Sequence, residues 1–230
     1  MPTLAACVGE HAAPPFSYPD HDGATQTLLR AAVGKLGGTV EFVVEPRKRC
    51  LLDVQSGKYP ILLLLGGAHS VMNKFAFPLR QGALDAARSI GHAEFLFVRR
   101  VGTLASWDGQ RVTGINSPLI LPAGYLLVKS LLDEFGIAAK DAPLGAEQAI
   151  RMLMRGHADL ALIRDVDWEY FQQSSEFRGK LERLEQSFAR LDLYTVFNVE
   201  FAKRHEALTQ AIWNEMAQLQ TSGVRHSKVP

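Results

Sequence analysis

Short apolar runs alternate with amphipathic stretches from the amino end onward. Residues 4–8, LAACV, form a run of strand length that stops at Gly9-Glu10-His11, and residues 39–44 (TVEFVV) and 60–65 (PILLLL) repeat the pattern. Between the first two runs, Leu28, Leu29, Ala32, Val33 and Leu36 fall on one face of a helix over residues 27–36. Asp22 or Thr25 can cap it, and Gly37-Gly38 stops it. Pro46 is a good first helical residue for a second helix over 47–56, closed by Gly57. The order strand, helix, strand, helix, strand predicts a parallel sheet with right-handed crossovers.

Further on the signals mix. Residues 68–80 read as loop with short turns. Residues 94–99, EFLFVR, read as a strand. Trp107-Asp108-Gly109 reads as a turn between segments able to pair as a hairpin, and 112–115 as a short strand. Helices are predicted over 124–135, with Leu126, Leu127, Leu131 and Leu132 inward, and over 147–155. A buried strand, ADLALI, is predicted over 158–163, another over 191–197, and one long amphipathic helix over 200–220. Two strand-helix sets joined by single strands imply two lobes, 1–98 with 191–230 and an inserted 99–190. No connection is rich in Gly, Pro or Ser, so these are read as halves of one α/β clamshell, with a single doubly wound domain as the alternative.

Composition narrows the class. The chain has 230 residues, 47% hydrophobic and 21% charged, with a net charge of +1, so no nucleic-acid footprint is present. No apolar run has the length of a membrane span, and the amino end lacks the basic segment and apolar core of a leader. Two cysteines, Cys7 and Cys50, are too few for a metal site. They are either two buried thiols or one disulfide, which adjacent elements would bring within bridging range. No Gly-x-Ser-x-Gly, His-Glu-x-x-His or phosphate-binding glycine loop occurs, and no cofactor is implied.

Several phrases together resemble the amino-acid-type (family 3) extracellular solute-binding proteins that feed ABC importers. PPFSYPDHDG is similar to that family's entry motif, and KLGGTVEFVVEPRKRCLLDVQSGKY to its second strand and following helix. Phe77-Pro78 followed by Gly82, then WDG, PAGY and RGHADLAL, match further family phrases in order. The resemblance covers nearly the whole chain. It implies the type II periplasmic-binding fold, two lobes hinged to close on a small solute.

The resemblance also nominates site residues. At the carboxyl end of the first strand, where open α/β sheets bind ligands, stand Glu10, Phe16 and Tyr18. The position aligned with the family's carboxylate-gripping arginine carries His69, with Lys74 and Arg80 nearby as point charges. Gly124 and Tyr125 open a helix whose amides would meet an anion, preceded by Asn116 and Ser117 as hydrogen-bond donors or turn formers. After ADLALI, Arg164 in the cleft would favour an acid, whereas Asp165 there would favour an ammonium; the pair reads equally as a helix cap. The run Arg47-Lys48-Arg49 reads as a solvated helix face.

The function implied is a monomeric periplasmic receptor for an amino acid or related small acid, without catalysis. Its partners would be the solute and an ABC permease or a sensor protein, with no nucleic acid and no membrane insertion. A sensory or degenerate module, or a cyclohexadienyl-dehydratase-like enzyme on the same fold, are the alternatives. In the periplasm Cys7 and Cys50 would form one disulfide.

Overall fold

The computed structural model describes residues 3–123, 125–142 and 145–221, and the side chains of His69 and Leu126 lie outside that description. The chain divides into two compact units, Met1–His92 with Asp192–Pro230, and Ala93–Leu191.

The first unit opens with β1 (Thr3–Gly9), α1 (Ala24–Lys35), β2 (Thr39–Glu45), α2 (Arg47–Gln55) and β3 (Ile61–Gly66). β1 pairs in parallel with both β2 and β3, as the apolar runs predict. A one-turn helix α3 (His69–Met72) and a hairpin of β4 (Leu79–Arg80) with β5 (Ala83–Leu84) occupy the stretch read as loop.

β6 (Gly91–Arg100) leaves this unit, and β13 (Ala189–Phe197) returns to it, pairing antiparallel with β3. That makes the sheet mixed rather than purely parallel. Its core gathers Cys7, Cys50, Val54, Leu62, Leu65, Phe75, Phe77, Tyr194 and Val196.

The carboxyl helix is two helices, α7 (Val199–Arg204) and α8 (Glu206–Thr221), because His205 leaves helical geometry. With this break, Phe201 stacks on Phe197 at 6.0 Å while Trp213 meets the same ring edge-on at 5.2 Å. Trp213 also donates its indole N–H to the Thr195 carbonyl at 2.8 Å.

Between β6 and β13 the second unit holds β7 (Ser106–Trp107), β8 (Val112–Thr113), β9 (Leu119–Pro122) and α4 (Leu126–Glu134). These are followed by β10 (Ala139–Ala142), α5 (Gly145–Met154), β11 (Ala161–Arg164), α6 (Asp165–Gln173) and β12 (Leu181–Arg183). β9 runs parallel to β10 and β11, while β6 is antiparallel to β11 and β12. β7 and β8 form the expected hairpin around the Trp107 turn.

The sheet strand here is β9, whose four residues are all buried, and not the 112–115 segment. Residues 158–160 stay outside the sheet. Arg100 takes the Ala158 carbonyl at 2.9 Å, and Asp159 turns to accept the Asn116 backbone N–H at 2.8 Å. Val98, Ile120, Ile150, Leu153, Ile163 and Phe171 centre this unit's core.

Candidate functional site

In the first unit, the candidate residues Glu10, Phe16 and Tyr18 share one loop at the carboxyl end of β1. The loop is tied to α1 rather than draped over it. The Ala24 and Thr25 amides of the first helical turn donate to the Pro15 and Phe16 carbonyls at 3.0 and 2.8 Å. Those carbonyls serve in place of the side-chain cap expected from Asp22 or Thr25. Asp22 instead forms an ion pair with Arg30 at 2.8 Å.

The buried Gln26 amide closes the loop. Its Oε1 accepts from the Tyr18 and Gly23 N–H groups at 3.0 and 2.8 Å, and its Nε2 donates to the Tyr18 carbonyl at 3.1 Å. Gly23 is required by proximity, since a Cβ there would stand 2.6 Å from the Phe16 carbonyl oxygen. Gly91, at φ 148°, likewise leaves room for the Phe16 ring, whose edge would be 2.5 Å from an added Cβ. Tyr18 stacks on His21 at 4.1 Å, and Glu10 is exposed, 3.8 Å from His11.

Cys7 and Cys50 are fully buried and joined as a disulfide, with 5.6 Å between their Cα atoms. The bond fastens β1 to α2 just below this loop. Arg80 stands elsewhere in the unit. It lines an open groove of about 410 Å³ with Leu79, Asp85, Arg88, Asn214 and Gln218, and none of Glu10, Phe16 or Tyr18 belongs to that groove.

In the second unit, Arg164 occupies the N-cap position of α6 and turns back onto that helix. Its Nε and Nη2 donate to the two oxygens of Asp167 at 2.9 and 3.0 Å, a bidentate pair with side chains only 18% and 16% exposed. The Tyr125 hydroxyl donates to the same carboxylate at 3.2 Å, and its ring packs edge-on against Phe95 at 5.6 Å. Burial pushes the Tyr125 phenol well above its usual value. Burial also works against the Arg164 charge, but facing Tyr125 and Asp167 outweigh it and hold the guanidinium protonated.

Asp165, first residue of α6 and half-buried, makes no hydrogen bond or ion pair among the described residues. Asn116 is exposed, and it is its backbone N–H, not its side chain, that has a partner, Asp159. Gly124 lies outside the described residues.

Two features escaped the sequence reading. Asp167, three residues after Arg164, pairs with it; the i, i+3 spacing is the signal that points to it. Of the three adjacent cations Arg47, Lys48 and Arg49, the first is only partly exposed while the other two are exposed. In the structure the Arg47 Cδ lies 3.7 Å from where a Cβ of Gly9 would be, against the end of β1.

No protein-family model and no curated protein sequence matches the chain. Solved structures do, and they first define a class of architecture, a mixed α/β sheet with flanking helices. One is a histidine kinase sensor domain with similarity to periplasmic binding proteins, which matches with a TM-score of 0.72 at 18% identity, over 96% of this chain and 91% of that one. The GluR0 ligand-binding core from Nostoc punctiforme, in complex with L-glutamate, matches with 0.68 at 17%, over 96% and 93%. A putative L-cystine ABC transporter from Listeria monocytogenes matches with 0.70 at 14%, over 97% and 92%. The particular fold is therefore that of type II periplasmic binding proteins.

Proposed function

We propose that this chain is a receptor for a small polar solute, an amino acid or a related small acid, which it binds without chemical change to serve ABC-type uptake outside the cytoplasm. The observation that carries the reading is the end-to-end match of the fold, over 96% of the chain, to a ligand-binding core that holds L-glutamate. The residues refine it. Arg164 has its charge matched by Asp167, so it is not the group that selects an acid. Asp165 is left as an unpartnered carboxylate at the start of α6, suited to a ligand ammonium. Phe16 and Tyr18, on a loop fixed by Gln26, offer rings for the apolar part of the solute. The buried disulfide agrees with an exported protein. In this reading the protein works as a monomer that delivers its solute to a permease.

Isothermal titration against the twenty amino acids, small carboxylates and polyamines is the test. Saturable binding of one class supports the proposal, and no binding by any removes it. Prephenate should remain unchanged on incubation; turnover would favour a dehydratase. A second reading, the input domain of a sensor, is favoured by the histidine kinase sensor domain at a TM-score of 0.72. It keeps the same solute and changes only the protein that reads the bound state.

A further inference from the structure

β4 and β5 join through Gln81-Gly82, whose φ values of 54° and 82° suit a tight two-residue hairpin turn. The pairing sets Arg80 opposite Ala83. This hairpin, a single turn of 3-10 helix over Ala86–Arg88 and the helix α8 border the open groove of about 410 Å³. Every residue that lines the groove belongs to the first unit.

The hydrogen bonds around Arg88 decide what the groove has left to offer. A guanidinium has donors only, so amides that face it must turn their oxygens toward it. Gln210 Oε1 and Asn214 Oδ1 each accept from Arg88 at 2.7 Å. Asp85 is spent as well: its Oδ1 takes the Ala87 N–H at 3.1 Å, and its Oδ2 lies 3.5 Å from Arg88 Nε. Donors remain. The Asn214 NH2 group is turned away from Arg88, and Arg80 brings an exposed guanidinium with no hydrogen bond or ion pair among the described residues. With Asp85 matched by Arg88, the charge outstanding at the groove is that of Arg80. Arg80 is set apart by the cavity it borders and by the donors that share it.

A groove whose acceptors are spent and whose donors are open matches a ligand rich in acceptor oxygens. Leu79, 46% exposed, and the Ala87 and Ala217 methyl groups add an apolar wall, which suits a carbon skeleton beside the charge. The volume lies within the range of small-molecule sites, about 300–1,000 Å³. We propose that this groove is a binding site for a small organic oxyanion, a carboxylate or a phosphate ester, held by Arg80 and the Asn214 amide and distinct from the loop of Glu10, Phe16 and Tyr18. The inference goes beyond the proposed function and does not rest on it.

Isothermal titration of the full chain at low ionic strength with citrate, succinate, glycerol 3-phosphate and inorganic phosphate tests it, on wild type, Arg80→Gln and Asn214→Asp. Asn214→Asp keeps an oxygen toward Arg88 and replaces the open donors by a negative charge. The expected result is saturable binding of at least one organic anion, with a Kd of about 1 mM or tighter. Each substitution should weaken it by about tenfold or more, as for one charged hydrogen-bonded contact. Ala87→Glu, at an exposed position on the groove wall, should do the same and replaces either variant that circular dichroism shows to be unfolded. Citrate or succinate alone assigns the site to carboxylates, and glycerol 3-phosphate alone assigns it to phosphate esters.

Binding of inorganic phosphate alone would mean an adventitious ion only and would overturn the proposal. So would saturation by none of the probes, or a smaller weakening in either variant, which would place the anion elsewhere. Failure of the solute reading is separable. A chain that binds citrate at the groove and no amino acid removes the receptor and leaves this site, whereas amino-acid binding without any groove-dependent anion does the reverse. Carboxylate binding that is lost with Asn214→Asp counts for the groove and not for the receptor.

Discussion

Removing Asp167 should be among the most damaging single changes in the second unit. Its carboxylate holds Arg164 through two hydrogen bonds of 2.9 and 3.0 Å and takes a third from Tyr125 at 3.2 Å. Both charged side chains are more than four-fifths buried. Asp167→Ala leaves a guanidinium with no counter-charge in that setting, which costs about 3–5 kcal/mol. For a chain of this size that is a fall in Tm of about 6–20 °C. Replacing both partners, as Arg164→Met with Asp167→Leu, removes the penalty along with the pair and should leave stability within about 1 kcal/mol of wild type. Tyr125→Phe loses one hydrogen bond to a charged group and should cost about 1.5 kcal/mol. Urea unfolding of the wild type, the singles and the double, followed by far-ultraviolet circular dichroism, gives the cycle. A single variant that loses less than about 1 kcal/mol, or a double variant as unstable as Asp167→Ala, would refute the view of Arg164 as a charge that depends on Asp167.

Other outcomes follow from the same coordinates. The disulfide closes a loop with a sequence separation of 43, so replacing both Cys7 and Cys50 by Ala should destabilise the protein by about 4 kcal/mol in urea titration. Gly23→Ala drives a methyl group against the Phe16 carbonyl and should cost about 1–3 kcal/mol in the same assay, with a weakened affinity for the solute. The Lys58 hydrogen bond, helped by Arg49, holds the Asp53 carboxyl below its usual range. A carboxylate lowered on folding contributes stability that is present above its unfolded value near pH 3.9 and is lost as pH falls through the folded one. Acid unfolding should therefore be shallower for Asp53→Asn than for wild type below about pH 4, and identical profiles would count against that pairing.

The first unit was legible because its elements announce themselves. Residues 39–44 are rich in β-branched side chains with Pro46 two residues beyond, Gly37 and Gly57 stop helices, and each signal acts locally. The second unit hides its strands. β9, Leu119–Pro122, carries no alternation because all four residues are buried, and β10, Ala139–Ala142, puts Lys140 and Asp141 on an exposed strand that periodicity cannot distinguish from loop. α6 begins at a buried ion pair, which sequence shows only as neighbouring charges. The break at His205 has no glycine or proline to mark it; it becomes understandable only with Phe197 packed between Phe201 and Trp213.

The same limit governs the site. Residue types that suit a ligand were visible, but which of them already had a partner was not. Arg164 looked free and is matched by Asp167, whereas Arg47, one of three adjacent basic residues, lays its stem against Gly9.

Under the proposed function, the Gln26 amide has a consequence for how binding preference can change over time. With three backbone contacts from one side chain, the segment from Tyr18 to Gly23 is built before any guest arrives. Ordering it takes nothing from affinity. Tyr18 and His21 can be exchanged for other rings or for polar groups on an unchanged frame, while an inserted or deleted residue would pull all three contacts out of line. New tastes should therefore arise here by substitution at constant length.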